Sequence, residues 1–305
     1  MATPSTTRPT VGVIGLGIMG GTMAEELLKA GYTVCGFDVD AKTQKRLKKA
    51  GGQPLPNAAD VAAQAQVLIV SLSTSKALSL VTEAIASVPK AIRPAQQIVI
   101  ETSTLPMADK DACALQLRKV GVSTLDAPIS GTAVRIKERA WTVFVSGTQA
   151  AYKKVRPVLQ VFTDNVPYVG PYGSGTKMKF AANHLVAIYN VAYAESVTLA
   201  RKMGLDPREV LKLFGNSPVI GTGVMRLRMA MMLERQYSPP TMKVEVWQKD
   251  MEVIGDMAKS VDCPTPLFSA AASVYTAAMA QGLSQEDTAS TAEVMGAMAG
   301  LKSIF

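Results

Sequence analysis

Short apolar runs punctuate the first half of the chain at residues 11–14, 33–37, 67–71, 98–101, 123–125, 141–145 and 166–169. Each has strand length, and most are apolar throughout instead of alternating, the pattern of strands covered on both faces. Helix-period stretches lie between most of them. The pattern predicts a mostly parallel sheet flanked by helices. Past residue 170 the character changes. A helix-compatible run over 176–203 stops at Gly204, and Asp206-Pro207 opens a further helix. Helical patterns continue through 209–214, 241–260, 265–281 and 285–299, with no convincing strand.

The first run leads into Gly15-Leu16-Gly17-Ile18-Met19-Gly20 and an amphipathic helix over 18–30, stopped at Gly31. The glycines fall at G-x-G-x-x-G spacing: one for the tight turn, one for close approach of a pyrophosphate, one for helix–strand packing. The new helix would aim its N–H groups at the phosphates. Asp38 ends the next strand, about 20 residues past the turn, where a carboxylate reaches adenosine ribose hydroxyls. Its charge repels a 2′-phosphate, so NAD is expected over NADP. Asp38 could instead cap the helix beginning near residue 41, a task Asp40 could share.

These readings give an α/β chain. A tail over residues 1–10 precedes a Rossmann-type NAD-binding domain over 11–171. A connecting helix over 172–203 leads to an all-α domain over 204–305.

Composition narrows the function. The chain has 305 residues, 48% hydrophobic and 18% charged, enough for a sizeable core. The net charge of +8 is spread along the chain without a dense basic block, which disfavours nucleic acid and suits acidic small molecules. Three separated cysteines give no disulfide framework, and a single histidine gives no multi-histidine metal centre, so no metal site is expected. No apolar run has bilayer-spanning length, and residues 1–10 are polar and short for a targeting peptide, so a cytoplasmic setting is expected. The Ala- and Met-rich second half suggests apolar faces that pack against another subunit, hence a homodimer or homotetramer.

Two segments carry candidate chemistry. Lys179 and Asn183, four apart, share one face of the long helix, and Asn190 lies on nearly the same face. Asp126-Ala127-Pro128-Ile129-Ser130-Gly131-Thr132 follows a strand, so it falls at the sheet's carboxyl edge, where open α/β sheets bind ligands. Ser130 offers a hydroxyl, and the N–H groups around Gly131 and Thr132 can hold a carboxylate. Alone, the first pattern is usually a solvated lysine and the second an ordinary turn.

Together with the glycine turn and Lys249-Asp250-Met251, these segments resemble the β-hydroxyacid dehydrogenase family, which includes 3-hydroxyisobutyrate dehydrogenase. The resemblance covers nearly the whole chain, with G-x-G-x-M-G at 15–20, D-A-P-I-S-G at 126–131 and G-x-G-x-x-x-K-x-x-x-N at 173–183. It implies a catalytic Lys179, with Asn183 one turn later helping to hold the substrate. It implies a carboxylate-binding loop at Ser130, Gly131 and Thr132, and Lys249 closing over the cofactor. It also implies that Leu72, Ser73 and Thr104 line the cofactor.

The chemistry agrees with this assignment. Oxidising an alcohol sends hydride to nicotinamide and a proton to a general base. A lysine serves once burial or a neighbouring cation lowers its pKa, and Lys177 and Lys249 are candidates for that cation. His184, about 140° round the helix from Lys179, is expected to pack and not to catalyse. The chain departs from the family after Gly131. Thr132 replaces a glycine, and Arg135, Lys137, Arg139 and Trp141 replace smaller residues. That loop is either solvated or extends the pocket toward a larger or more acidic substrate. The alternatives are an NADPH-dependent semialdehyde or imine reductase, a shorter relative of 6-phosphogluconate dehydrogenase, and a catalytically silent dinucleotide-binding protein.

Overall fold

A computed structural model describes residues 8–301, the side chains of Val134 and Arg135 excepted. The chain divides into two compact units, Met1–Lys179 and Phe180–Phe305. Of the tail expected over residues 1–10, residues 1–7 lie outside the described residues. Arg8 is held over the Tyr32 ring at 5.1 Å, and the Thr10 carbonyl accepts from Gln66 N–H.

The first unit contains β1 (Val11–Ile14), β2 (Val34–Phe37), β3 (Gln53–Pro54), β4 (Val67–Val70), β5 (Ile98–Glu101) and β6 (Ser123–Asp126). A separate ladder pairs β7 (Ile129–Ser130) with β8 (Thr142–Val143), and β9 (Val145–Gly147) and β10 (Tyr168–Gly170) complete the main sheet. Its order is β3-β2-β1-β4-β5-β6-β9-β10, parallel throughout except between β6 and β9. The connecting helices are α1 (Ile18–Lys29), α2 (Ala41–Lys49), α3 (Ala58–Gln64), α4 (Ser75–Ser87), α5 (Met107–Lys119) and α6 (Gln149–Leu159).

The uniformly apolar strands serve two cores. Val67, Ile69, Ile98 and Ile100 pack on one face, whereas Leu68, Val70 and Val99 pack on the other. Successive strand residues point to opposite faces, so a strand with a core on each side needs apolar residues at every position.

Within this unit the structure differs from the sequence reading at 141–145 and at β3. The run at 141–145 is split: β8 joins β7, while β9 enters the main sheet antiparallel to β6. A 3₁₀ turn, Ala133–Glu138, precedes it and ends at Arg139 with φ 52°. The two-residue β3 is an edge strand, where proline costs no ladder bond; it is too short to carry a periodic signal.

Register fixes what lies at the carboxyl edge. Phe37, Ile14, Val70, Glu101 and Asp126 are successive partners across five strands, so the loops that follow them leave the sheet from one row.

The unit boundary falls within α7 (Ser174–Lys202). The second unit continues with α8 (Pro207–Phe214), α9 (Gly223–Glu234), α10 (Val244–Ser260), α11 (Pro266–Ala280) and α12 (Thr291–Met298). Its described residues hold helices and one isolated bridge, Lys243 with Asp287. The sequence reading lacked α9. Its buried Met225, Met229 and Met232 follow helical spacing, and the Thr222 hydroxyl caps it by accepting from Met225 N–H at 2.9 Å. At the heart of this unit the buried Arg228 pairs with Asp287. The Asp287 carboxylate also accepts from Thr241 N–H at 2.7 Å and Ala289 N–H at 2.9 Å.

Candidate active site

The glycine turn leaves β1 at the switch point, where β2 and β4 flank β1 on opposite sides. Gly15 has φ +87°, and a Cβ there would meet the Ser71 carbonyl oxygen at 2.1 Å. A Cβ on Gly20 would meet the Gly15 carbonyl oxygen at 1.8 Å, so α1 packs on the turn by direct backbone contact. A Cβ on Gly17 would meet nothing within 4 Å. The side of the turn that a pyrophosphate would approach is therefore open. The first turn of α1 has no side-chain cap and no acidic residue, and Ile18 beside it is exposed. An uncapped helix N-terminus behind an open glycine turn fits a dinucleotide.

Asp38 and Asp40 divide the tasks that the sequence left open. Asp40 caps α2, accepting from Lys42 N–H at 2.8 Å. Asp38 accepts from Leu16 N–H at 2.6 Å and from Asp40 N–H at 2.9 Å, tying the end of β2 to the glycine turn. Each carboxylate oxygen retains acceptor capacity for a ribose hydroxyl. Leu72 N–H donates to the Ser103 hydroxyl at 2.9 Å, joining the loops after β4 and β5, which carry Ser73 and Thr104.

Ser130 lies in β7, with Gly131 and Thr132 just beyond it. Gly131 has φ +147° and rests on the indole of the buried Trp141, whose N–H donates to the Thr132 carbonyl at 2.7 Å. The loop is thus fixed from beneath. The Thr132 hydroxyl is buried without a hydrogen-bond partner among the described residues. Arg139, one of the three charges in the loop that is either solvated or extends the pocket, is fastened to the segment after α6. It donates to Asp164 at 2.7 Å and to the carbonyls of Gln160 and Val161. Lys137 is exposed, and the Arg135 side chain lies outside the described residues.

The first turn of α7 is anchored to the same edge. Asp126 Oδ2 accepts from Thr176 N–H at 2.8 Å, and the Ser146 hydroxyl accepts from Gly175 N–H at 3.0 Å. Lys179 is three residues further along and partly buried. The protein supplies its own anion for this helix end, which leaves the α1 end as the open one of the two. Lys177 is exposed.

Asn183 and Lys249 belong to the second unit. Asn183 is buried and donates to Asp250 Oδ2 at 2.9 Å, while Lys249 Nζ sits 3.1 Å from Asp250 Oδ1. One carboxylate therefore orients both. Asn190 faces inward and donates to the Thr288 hydroxyl at 3.2 Å, so it is a core residue and not a site wall. His184 stacks on Phe268 with centroids 5.2 Å apart, as expected of a packing residue. No group of three or more metal-ligating side chains occurs among the described residues.

Sequence reasoning missed Lys110. It is 0% exposed, with Nζ 2.6 Å from both Glu101 Oε2 and Asp126 Oδ1. It also donates to the Thr176 hydroxyl at 2.6 Å and the Ser103 carbonyl at 2.9 Å. Burial alone would push this ammonium down, but Glu101 and Asp126 overcome it and hold Lys110 above the usual lysine value. Lys110, Ala114 and Leu117 form the buried stripe of α5, and that spacing was the available signal.

Comparison with known proteins agrees with this geometry. Residues 10–170 match the family model for the NAD binding domain of 6-phosphogluconate dehydrogenase. Residues 173–295 match that for the NAD-binding domain of NADP-dependent 3-hydroxyisobutyrate dehydrogenase. The chain is 29% identical over 286 residues to L-threonate dehydrogenase of Escherichia coli O6:H1, covering 93% of this chain and 94% of that protein. It is 30% identical over 294 residues to the mitochondrial 3-hydroxyisobutyrate dehydrogenase of Rattus norvegicus, covering 93% and 86%. The crystal structure of a 3-hydroxyisobutyrate dehydrogenase from Salmonella typhimurium superposes with a TM-score of 0.82 at 26% identity, covering 93% and 99%.

Proposed function

The chain belongs to the β-hydroxyacid dehydrogenase family, and on that premise we propose that it oxidises a small 3-hydroxy acid with NAD and with Lys179 as general base. Dehydrogenase action on small hydroxy acids, such as threonate and hydroxyisobutyrate, is common to its relatives. The cofactor preference, the acid and the residue roles are our reading.

The observation that carries the reading is the anchoring of the first turn of α7 to Asp126 at the sheet's carboxyl edge. The loops after β1, β4, β5 and β6 leave the sheet from that edge, and Lys179 follows that turn directly. Bound NAD supplies the hydride acceptor. The protein's residues supply the rest. Gly15, Leu16, Gly17, Ile18, Met19 and Gly20 would receive the pyrophosphate and Asp38 the ribose, and the further residues that would hold the cofactor are Leu72, Ser73, Thr104 and Lys249. The Ser130 hydroxyl and the N–H groups of Gly131 and Thr132 hold the substrate carboxylate. Asn183, oriented by Asp250, holds the substrate near its reacting carbon. Lys179 takes the proton of the substrate hydroxyl as the C–H bonding pair leaves as hydride, and the carbon becomes a carbonyl. In the reverse direction protonated Lys179 returns that proton to the carbonyl oxygen.

Lys179→Ala is expected to lower turnover by roughly 10²–10⁴ while NAD still binds. Production of NADH from a panel of 3-hydroxy and sugar acids, alongside calorimetric titration of NAD, measures both. Near-normal turnover in the variant would sink the assignment.

A further inference from the structure

We propose that Lys110 is a positioning residue for the reaction centre, fixing the first turn of α7, and with it Lys179, against the loops that follow β4, β5 and β6. The inference rests on the reading of Lys179 as the proton acceptor.

Four chain segments meet at this ammonium. Glu101 and Asp126 are register partners at the carboxyl ends of β5 and β6, and Lys110 lies within 2.6 Å of both. The Ser103 carbonyl accepts from it, while Ser103 N–H donates to Glu101 Oε1 at 2.7 Å and the Ser103 hydroxyl accepts from Leu72 N–H. These bonds set the loops carrying Leu72 and Thr104. On the other side, the Thr176 hydroxyl accepts from Lys110 and donates to Asp126 Oδ1 at 2.7 Å. Thr176 N–H also donates to Asp126 Oδ2. The first turn of α7 is thereby held at two points, which fixes both its depth and its rotation. Lys179 is three residues on, on the same helix face and about 4.5 Å along the axis, so turning α7 at Thr176 swings Lys179 with it.

Stability alone is a weak reason to bury a lysine between two carboxylates, because well-packed apolar groups often serve a core as well or better. Directionality is what the lysine adds. Its donors reach the loop after β5, the end of β6 and the first turn of α7, and Asp126 opens the segment that ends at Ser130, Gly131 and Thr132.

Thr176→Val is the principal test, because it cuts the link between Lys110 and α7 without uncovering a charge. Lys110→Met leaves Glu101 and Asp126 buried without their cation and risks misfolding, so it serves only as a comparison. Thr176→Val is expected to lower kcat by about 10²-fold, the cost of a displacement of roughly 1 Å, with KM for NAD unchanged and Thr176→Ser restoring activity. In the protein without cofactor, acetic anhydride labelling of Lys179 is followed by mass spectrometry as a function of pH. Its midpoint is expected to move in Thr176→Val and to return in Thr176→Ser. Unchanged kcat and labelling, with only a lower Tm, would make the cluster merely structural and overturn the proposal. If Lys179→Ala is inactive while Thr176→Val is normal, the positioning role falls and the general-base reading stands. If Lys179→Ala keeps its turnover, the general-base reading itself falls.

Discussion

Gly131 and Trp141 are fitted to one another. A Cβ on Gly131 would lie 2.5 Å from the indole Cδ1, and φ +147° is a conformation other residues rarely adopt. The indole cannot retreat: it packs against Phe162 with centroids 6.1 Å apart and holds the Thr132 carbonyl. Gly131→Ala must therefore move the loop and not the ring. We expect KM for the hydroxy acid to rise about tenfold or more, because the loop proposed to hold the carboxylate is misplaced. Titration of NAD should give an unchanged Kd, and a variant with normal KM would show that this loop does not hold the acid. The glycine was legible in the sequence as part of D-A-P-I-S-G. Its partner was not, because a tryptophan ten residues away signals bulk but not which backbone it will touch.

Among the elements, α9 depends on its cap and on a charge pair. The Thr222 hydroxyl accepts from Met225 N–H and also meets the Tyr193 hydroxyl at 2.8 Å. Thr222→Ala should lower unfolding stability by about 1–2 kcal/mol in urea titration, the usual worth of such a cap. No loss of stability would show the cap to be idle. One turn and a half further on, Arg228 joins α9 to Asp287. Burial pushes the Asp287 carboxyl up, but Arg228 and the N–H and hydroxyl donors around it hold it below its ordinary value near 3.8. Its contribution to stability is therefore complete above that value and is lost as pH falls through the folded pKa. Asp287→Asn should cost roughly 3–5 kcal/mol near neutrality, because it leaves Arg228 buried without its counter-charge. The gap between wild type and variant should hold steady down to about pH 5 and narrow as pH falls below about 4, through the folded pKa. Thermal unfolding across that range measures it, and a gap independent of pH would contradict the assignment.

At the scale of the molecule, cofactor binding should register as stability. NAD at about 100 times its Kd contributes about 2.7 kcal/mol to whatever unfolds with its site. On the proposed role of Asp38 at the ribose, NADP at equal concentration should raise Tm less than NAD, and an equal or larger rise with NADP would reverse the cofactor reading. No described helix is long and apolar enough to cross a membrane. The sequence by itself determined the alternation of strands and helices in the first half and the helical character of the second, the glycine turn and the shared helical face of Lys179 and Asn183. These rest on local rules, the strand period of two, the helical period of 3.6 and fixed spacings within a turn, which leave their mark on neighbouring residues. Only the tertiary structure decided that Asp40 caps while Asp38 clamps, that the run at 141–145 serves two sheets, and that Asn190 is core. It alone decided that Lys110 lies beneath the candidate site, bonded to residues 16 and 66 positions away. Those outcomes depend on desolvation and on which distant polar atoms share a buried space, and neither is a property of any short stretch of chain.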